Sequence, residues 1–219
     1  MRFLGSGRRG VWWLLMVAAV LLSGCETLEP VKGPRLWGAM HQEFRQQVDW
    51  KRRVYVNPEL IEQVGASNGS VKISLADQRG FLLLDGRHVV MDFPVATGKY
   101  GYATPTGSYA VISKKAHHRS NLYGRYVDIG TGRVVRYDAA VREDPLPSGA
   151  KFVGASMPMW MRLTQTGIGM HIGNVPGYPA SHGCIRVVRP AMERLYPLCR
   201  VGTPVAVHQS WSPLADGVR

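Results

Sequence analysis

The sequence predicts a mostly β fold, a sandwich or barrel with short helices, preceded by a short helical segment on its N-terminal side. Apolar and polar residues alternate from Val71 through Ile73 to Leu75, as expected for a strand with one buried face. Asp85-Gly86 lies between two apolar runs and is a strong hairpin turn signal. Several short runs of this kind, separated by Gly and Pro, favour a sandwich or barrel.

The first predicted elements are helical. Between residues 37 and 51, apolar residues recur at helical spacing and predict one amphipathic helix: Trp37, Met40, Phe44 and Val48. This helix is either a spacer that holds the following domain away from a membrane or a helix packed on the domain surface. Asn57-Pro58 then predicts a helix cap, with proline at the first position of a short helix.

Strands are predicted to follow at 71–75, 81–84, 89–95, 109–112 and 203–207. Residues 116–156 are less regular, with β-like pieces at 126–129 and 133–137. His117 and His118 open this stretch and are expected to be exposed bystanders. Cys199 ends a short helical segment whose apolar positions predict a buried, inert thiol. A Cys184–Cys199 disulfide is the alternative.

The N-terminus carries an export pattern. Arg8 and Arg9 precede an apolar run, 11–22, that is shorter than the ~20 residues of a membrane span and fits a secretory signal. The run ends in Leu22-Ser-Gly-Cys25, which resembles the lipobox of bacterial lipoproteins. That resemblance implies cleavage before Cys25 and a diacylglycerol on its thiol. The alternative is an ordinary signal peptide with Cys25 as a bystander.

The chain is strongly basic, with a net charge of +12. Removal of residues 1–24 leaves 24 Lys and Arg against 15 Asp and Glu, a net charge of +9. Such a charge is typical of proteins that bind nucleic acid or an anionic surface. Two observations argue against nucleic-acid binding. The N-terminus predicts export from the cytoplasm, and the basic residues are scattered, with one tight run at 51–53. The charge is therefore either a solvated surface or an attraction toward a carboxylate-rich polymer or anionic lipid.

Residues 171–186 read HIGNVPGYPASHGCIR and contain the strongest functional pattern. Cys184 lies in a tight Ser-His-Gly-Cys turn, where it can be a nucleophile if a base takes its proton. His171 is the expected base, giving a thiolate–imidazolium pair and later protonating the leaving amine. The amides of Gly183 and Cys184 are expected to stabilise the oxyanion, because glycine lets the backbone turn tightly.

Three neighbours complete the predicted site. Ser181 is expected to support the turn, and His182 either holds the turn or takes part in the oxyanion site. Arg186 alternates with Cys184 on an extended segment, so both face one side, and its guanidinium can grip a substrate carboxylate; the alternative is a solvated surface charge. Zinc is formally possible, but no glutamate stands at a metallohydrolase spacing, so no metal or cofactor is expected.

This block resembles the signature of the L,D-transpeptidase (YkuD-like) catalytic domain, a family of cysteine enzymes that act on bacterial peptidoglycan. The resemblance extends to upstream motifs: Val95-Ala-Thr-Gly98, Thr104-Pro-Thr-Gly-Ser-Tyr109, Met157-Pro-Met-Trp160 and Gly169-Met-His171. It implies that the backbone carbonyl of Ile172 orients His171; Asn174 is the alternative. It also implies that 116–156 is a lid over a substrate groove, and a plain surface excursion is the alternative.

Together, the lipobox and the L,D-transpeptidase resemblance divide the chain into a lipoprotein signal peptide (1–24), a tether with a short helical segment (25–69), an L,D-transpeptidase catalytic domain (70–208) and a C-terminal tail (209–219). It implies that Cys184 attacks the third residue of a peptidoglycan stem peptide and releases the terminal D-alanine. The acyl group then passes to an amine, on a second stem peptide or on a lysine-bearing acceptor protein.

Two other functions are compatible with the sequence. With water as the acceptor the enzyme is an L,D-carboxypeptidase, and without catalysis the chain is a peptidoglycan-binding lipoprotein. The intact Cys184–His171 pair argues against the second. Glu26 follows the lipidated cysteine and, by the usual sorting logic, implies the outer membrane. The protein is therefore expected on the periplasmic face of the cell envelope, held to a membrane by its lipid anchor.

Overall fold

A computed structural model describes residues 33–65 and 67–213 of the chain. The predicted signal peptide, Cys25 and the first part of the tether lie outside the described residues, as do residues 214–219 of the tail. None of the helices in the described ranges combines the length and hydrophobicity that a bilayer-spanning segment requires. Residues from Gly33 onward form one compact unit.

The described helices are α1 (Pro34–Gln46), α2 (Pro58–Ile61) and α3 (Arg189–Leu198), with a 3-10 turn at Trp50–Arg52. The first strands are β1 (Tyr55–Val56), β2 (Gly69–Ser74), β3 (Arg79–Leu84), β4 (His88–Ala96), β5 (Gly107–Ala110) and β6 (Ser113–Lys115). The central strands are β7 (Arg119–Asp128), β8 (Val134–Ala140) and β9 (Ala150–Ser156). The last are β10 (Trp160–Arg162), β11 (Gly169–Ile172), β12 (Ile185–Val187) and β13 (Pro204–His208).

Ten of the described strands form one sheet, in the order β5-β13-β2-β3-β4-β12-β11-β10-β6, with β1 also beside β4. Its two end strands are consecutive in the chain, separated by Val111 and Ile112 alone. A sheet whose first and last strands are joined by two residues must curl round on itself. The core fills this curl and includes Phe93, Met170 and Leu195, each fully buried. The predicted mostly β, barrel-like fold is confirmed.

The helix α1 packs on the sheet, which agrees with the interpretation of this segment as a helix on the domain surface. Phe44 is buried, and His41 Nε2 lies 2.8 Å from Asp92 Oδ2 in the buried interface. The Arg79 guanidinium donates through Nε to Asp92 Oδ1 at 2.7 Å, so the buried carboxylate has a charged partner. The helix ends at Gln46, and Val48 is fully exposed beyond it. The predicted apolar role of Val48 is therefore wrong.

Two local predictions depend on short-range hydrogen bonding or turn geometry, and both are confirmed. The Asn57 side chain accepts from the backbone N–H groups of Glu59 and Leu60, both at 3.0 Å, and so caps α2. Asp85 and Gly86 both have positive φ, 51° and 66°, in the tight turn that joins β3 to β4.

Residues 116–156 fold into a second, three-stranded sheet in the order β8-β7-β9. The predicted β-like pieces lie largely within β7 and β8. Gly124 and Gly154 face each other across β7 and β9, and a Cβ on Gly154 would lie 1.9 Å from the Ser120 carbonyl oxygen. Glycine is therefore required for the two strands to approach this closely.

Candidate active site

Neighbouring strands place the predicted site residues on one face of the curled sheet. The strands β11 and β12 are parallel, with His171 opposite Arg186. Cys184 precedes Arg186 by two residues and therefore projects to the same side. The rings of Trp160 on β10 and His171 lie 6.0 Å apart. All four side chains line one open cavity of about 1050 Å³, so the structure brings His171, Cys184 and Arg186 together as predicted.

The three-stranded sheet forms the opposite wall of this cavity. Tyr123 on β7, Asp138 on β8 and Arg142 just after β8 are among its lining residues. Of the two interpretations of residues 116–156, a covering over the groove is therefore the one that agrees with the structure.

His171 is buried, and its ring is fixed by the backbone of the next residue. Its Nδ1 lies 2.8 Å from the carbonyl oxygen of Ile172, which is the orienting group that the resemblance implied, and not Asn174. Burial lowers the pKa of His171 to about 4, although the hydrogen bond to Ile172 acts in the opposite direction. The positive charge of Arg186 lowers this pKa further. The imidazole is therefore neutral at physiological pH.

Burial also controls the thiol of Cys184, whose pKa it raises above the ordinary value. A hydrogen bond from the backbone of Gly169 and the charge of Arg186 partly oppose that rise, because both favour the thiolate. The thiol itself points to the Gly167 carbonyl oxygen, 3.8 Å from Sγ. Burial thus acts against both charged forms of the expected pair, the Cys184 thiolate and the His171 imidazolium.

The turn before Cys184 is held together by the buried hydroxyl of Ser181. This hydroxyl donates to the Cys184 carbonyl and accepts from the Gly183 amide at 3.1 Å. Gly183 has φ of +105°, a conformation that side-chain-bearing residues rarely adopt. Its carbonyl accepts from the Thr104 hydroxyl at 2.8 Å. The Gly183 amide is thus committed within the turn, so its predicted part as an oxyanion donor is not supported, and the Cys184 amide is left for that part.

His182 is held between two tyrosines. Its ring stacks on Tyr123 with centroids 4.2 Å apart, and Tyr102 meets its edge at 4.6 Å. Its Nε2 lies 3.7 Å from Asp138 Oδ1 across the cavity. Burial lowers the pKa of His182, which favours the neutral ring. Of the two predicted roles, these contacts support the structural one, in which His182 joins the turn before Cys184 to the three-stranded sheet.

Arg186 lies beside Cys184 and His171 without a carboxylate partner in the described parts of the chain. Its alkyl chain packs on Gly173, where an added Cβ would come within 2.8 Å of Arg186 Cγ. The backbone contact fixes the start of the side chain, while the guanidinium lines the cavity. A guanidinium that lines the cavity without a carboxylate partner in the described ranges is suited to a substrate carboxylate.

Sequence reasoning missed three residues of the cavity. His118, expected to be an exposed bystander, is half-buried, and its ring lies 5.0 Å from that of Trp160. Burial lowers the pKa of His118, and Lys115 and Arg162 lower it further. Trp160 and Arg162 share one face of β10, a period-two signal that could have identified them. His117 is exposed, as expected.

The remaining predictions concern Cys199 and a metal ion. Cys199 is buried, and burial raises its pKa to about 12, as expected for an inert thiol. Cys184 and Cys199 are both free thiols, so the alternative disulfide is not formed. In the described ranges, no three His, Cys, Asp or Glu side chains converge as a metal site would require.

Known proteins share this fold. An L,D-transpeptidase from Mycobacterium smegmatis has 20% identity and a TM-score of 0.50, over 64% of this chain and 58% of that one. One from Stackebrandtia nassauensis has 20% identity and a TM-score of 0.48, over 68% and 60%. One from Xylanimonas cellulosilytica has 23% identity and a TM-score of 0.49, over 80% and 70%.

The chain spans about three fifths of the length of the first two of these structures. No curated protein matches it. The sequence model of the family described as YkuD, L,D-transpeptidase catalytic domain, matches residues 68–207. This range is more than half of the chain and includes residues 171–186, so the chain belongs to the YkuD family of L,D-transpeptidase catalytic domains.

Proposed function

We propose that this protein is a cysteine-dependent L,D-transpeptidase that acts on peptidoglycan stem peptides through a thioacyl-enzyme on Cys184. The observation that carries the proposal is the placement of Cys184 and His171 on one face of an open cavity, with His171 Nδ1 fixed on the Ile172 carbonyl. This bond leaves Nε2 of the neutral ring as the proton acceptor.

In the first half-reaction, Cys184 Sγ attacks the carbonyl carbon of the third stem residue while His171 takes the thiol proton. The new C–S bond moves an electron pair onto the carbonyl oxygen, and the Cys184 amide donates to it. The C–N bond to the terminal D-alanine then breaks, and His171 gives its proton to the leaving amine. One such backbone donor lowers the barrier by about 3 kcal/mol.

In the second half-reaction, an amine attacks the thioester and gives its proton to His171. The C–S bond breaks, and the proton returns to Cys184. An amine on a second stem peptide gives a cross-link, and a lysine on an acceptor protein gives an anchored protein. The cavity of about 1050 Å³ is at the upper limit of ordinary ligand pockets, so it has room for an acceptor beside the donor.

The test combines a covalent probe with product analysis. A carbapenem, which carries an acylating β-lactam ring, is expected to add one covalent mass to the wild-type domain and to Cys199→Ala, but not to Cys184→Ala. Sacculi incubated with the purified domain are expected to gain cross-linked muropeptides, with Cys184→Ala as the control. An adduct on Cys184→Ala would contradict the nucleophile, and loss of D-alanine without new cross-links would favour the carboxypeptidase.

We further propose that the protein is a lipoprotein on the periplasmic face of the cell envelope, anchored through Cys25 in the outer membrane. Residues 26–32 then join the anchor to the described body, and seven extended residues reach about 25 Å at most. The catalytic body would therefore work close to the membrane surface. Full-length wild-type protein is expected in the membrane fraction with lipid attached. The Cys25→Ala variant is expected to accumulate as uncleaved precursor. A soluble, unlipidated mature form from wild-type cells would contradict the anchor.

A further inference from the structure

Two exposed tyrosines beside the cavity are not used by the proposed reaction. Tyr100 is fully exposed and Tyr178 is 63% exposed. Neither side chain makes a hydrogen bond, ion pair or ring contact with another residue in the described ranges. One exposed aromatic ring is common on a protein surface, but two unpartnered rings next to the same cavity can form a binding surface for a ligand.

Both tyrosines lie on segments that border the cavity. Tyr178 is on the loop that leaves the cavity wall at Asn174 and returns to it at Ser181. Tyr100 follows Lys99, whose amide donates to the Ser181 carbonyl at 2.9 Å. The Cα atoms of the two tyrosines are therefore at most about 22 Å apart along this path. One elongated ligand that passes the rim of the cavity can contact both rings.

The backbone holds both rings in place. The Tyr102 amide donates to the Lys99 carbonyl at 2.9 Å, which closes a tight turn with Tyr100 at its tip. Tyr178 precedes Pro179, and a proline restricts the backbone of the residue before it. A tyrosine has two side-chain torsions, so a ring on a fixed backbone loses little entropy when it binds a ligand.

The rim lies far from the end at which the chain enters the described body. The Trp37 ring of α1 contacts His88 at the start of β4, with centroids 5.4 Å apart. Beyond the other end of β4, Gly98 bridges Ser181. The nine residues of β4 span about 30 Å. The proposed anchor, joined through residues 26–32, therefore leaves the rim free to face the cell wall.

We propose that Tyr100 and Tyr178 bind the amino-sugar strand that carries the stem peptides, by stacking on its sugar rings. The inference rests on the proposed function and adds to it a binding site outside the cavity. The face of a tyrosine ring is partly negative and attracts the partly positive C–H groups on the flat side of a pyranose.

The length of the stem peptide places the strand near this rim. Cys184 attacks the third residue of the stem, and the first residue is attached to the strand. Three extended residues reach roughly 11 Å, so the strand passes within about that distance of the reacting carbonyl. The enzyme then prefers a stem peptide on glycan to the same peptide free in solution.

The experiment compares one tetrapeptide in two forms, free and attached to a short glycan strand. Wild-type kcat/KM is expected to be about tenfold higher for the glycan-linked form, the combined effect of two ring stacks. Tyr100→Ala and Tyr178→Ala should each reduce this advantage to about threefold, and the double variant should remove it. Tyr100→Phe keeps the ring and should keep the advantage. Tyr137→Ala, which removes an exposed tyrosine of β8, is the matched control and should also keep it.

Direct binding is measured with soluble glycan strands from which an amidase has removed the stem peptides. The wild-type protein should bind these strands saturably, and the double variant should bind about tenfold more weakly. This readout needs no catalysis. Failure of the proposed function is therefore distinguishable, because neither form of the tetrapeptide would then give an acyl-enzyme on Cys184, whatever the glycan binding.

Three outcomes would overturn the inference. The first is equal kcat/KM for the two forms in the wild type, or an advantage that survives in the double variant. The second is an equal loss of turnover for free and glycan-linked peptide in Tyr100→Ala and Tyr178→Ala, which would give the rings a structural role. The third is a wild-type dimer that the double variant does not form, with unchanged glycan binding, which would assign the rings to a contact between two copies of the chain.

Discussion

His171 takes its orientation from the backbone of its own neighbour: Nδ1 lies 2.8 Å from the carbonyl oxygen of Ile172. A carbonyl can only accept, so Nδ1 carries the proton and Nε2 has the free lone pair. A carboxylate in that place would favour the imidazolium, whereas the neutral carbonyl does so weakly, and burial lowers the pKa of His171 to about 4. The His171 ring is thus neutral in the free protein, and its Nε2 can accept a proton.

The first prediction concerns the acid limb of activity. Because free His171 is neutral above about pH 4, kcat/KM should fall with an apparent pKa near 4 and not near the ordinary value of 6.5. Alkylation of Cys184 by a small reagent should rise with pH through a pKa above the ordinary value of 9.0. The pH profile of acylation measures the pKa of the acid limb. The thiolate absorbance of Cys199→Ala, in which Cys199 no longer contributes, measures the pKa of Cys184. A thiolate present at neutral pH would instead indicate a preformed ion pair.

The second prediction concerns stability, and the same burial sets its sign. Between pH 6.5 and about 4 the imidazole of His171 is protonated in the unfolded chain but neutral in the folded one. The unfolded state then binds more protons, so the free energy of unfolding rises with pH across this window. The contribution is about 3 kcal/mol. Denaturant unfolding at several pH values should show a smaller rise for His171→Gln; equal slopes would mean that His171 titrates normally in the fold.

The pattern of the chain predicted the parts of this protein that depend on local order. Period-two alternation located β2, and the helix cap depended on Asn57 and the two amides that follow it. Val48 was misassigned because helical spacing continues past Gln46, where the chain leaves the helix. Periodicity describes which residues share a face and not where an element ends.

Contacts between distant segments were harder to predict. The role of Gly183 was wrong because the Ser181 hydroxyl takes its amide, a competition that spacing does not show. The cavity wall formed by residues 116–156 depends on the close pairing of β7 with β9, which glycines allow. The same wall carries Tyr123, whose ring stacks on His182. Such packing is set by tertiary structure, which overrides local propensity.

A third prediction concerns the hydroxyl that ties the catalytic turn. Ser181→Ala leaves the Gly183 amide and the Cys184 carbonyl without their partner inside the protein. The free energy of unfolding should fall by about 1–3 kcal/mol. Acylation by a carbapenem should slow as well, because the backbone around the nucleophile loses its fixed geometry. Ser108→Ala, at an exposed position of β5, is the matched control and should change neither quantity. If Ser181→Ala matched the wild type in both stability and acylation rate, the turn would be held by other contacts.

A fourth prediction concerns the contact between the two sheets. Tyr123→Ala removes the ring that stacks on His182 at 4.2 Å, a contact worth about 0.5–1.5 kcal/mol. Turnover of stem peptide should fall by up to about tenfold, since the wall and the catalytic turn lose their link. Tyr123→Phe keeps the stack and should retain most activity. Tyr137→Ala, an exposed tyrosine on the same small sheet, is the control. Equal effects of Tyr123→Ala and Tyr137→Ala would mean that the stack has no part in turnover.

The last prediction concerns Arg186, where recognition of a carboxylate and simple solvation give different results. If its guanidinium binds a carboxylate of the donor, Arg186→Ala should reduce kcat/KM for stem tetrapeptide by about 1.5–3 kcal/mol. Arg186→Lys should recover only part of the loss, because an ammonium cannot reproduce the planar fork.

Thiol alkylation by a small uncharged reagent separates recognition by Arg186 from its electrostatic support of Cys184. Arg186 lowers the pKa of Cys184, so Arg186→Ala should slow alkylation through a smaller thiolate fraction. To correct for this effect, the rates of wild type and Arg186→Ala are compared at equal thiolate fraction. The loss in peptide turnover should remain after this correction. Equal losses in turnover and in uncorrected alkylation would assign Arg186 to the nucleophile alone, and unchanged turnover would leave it as a solvated charge.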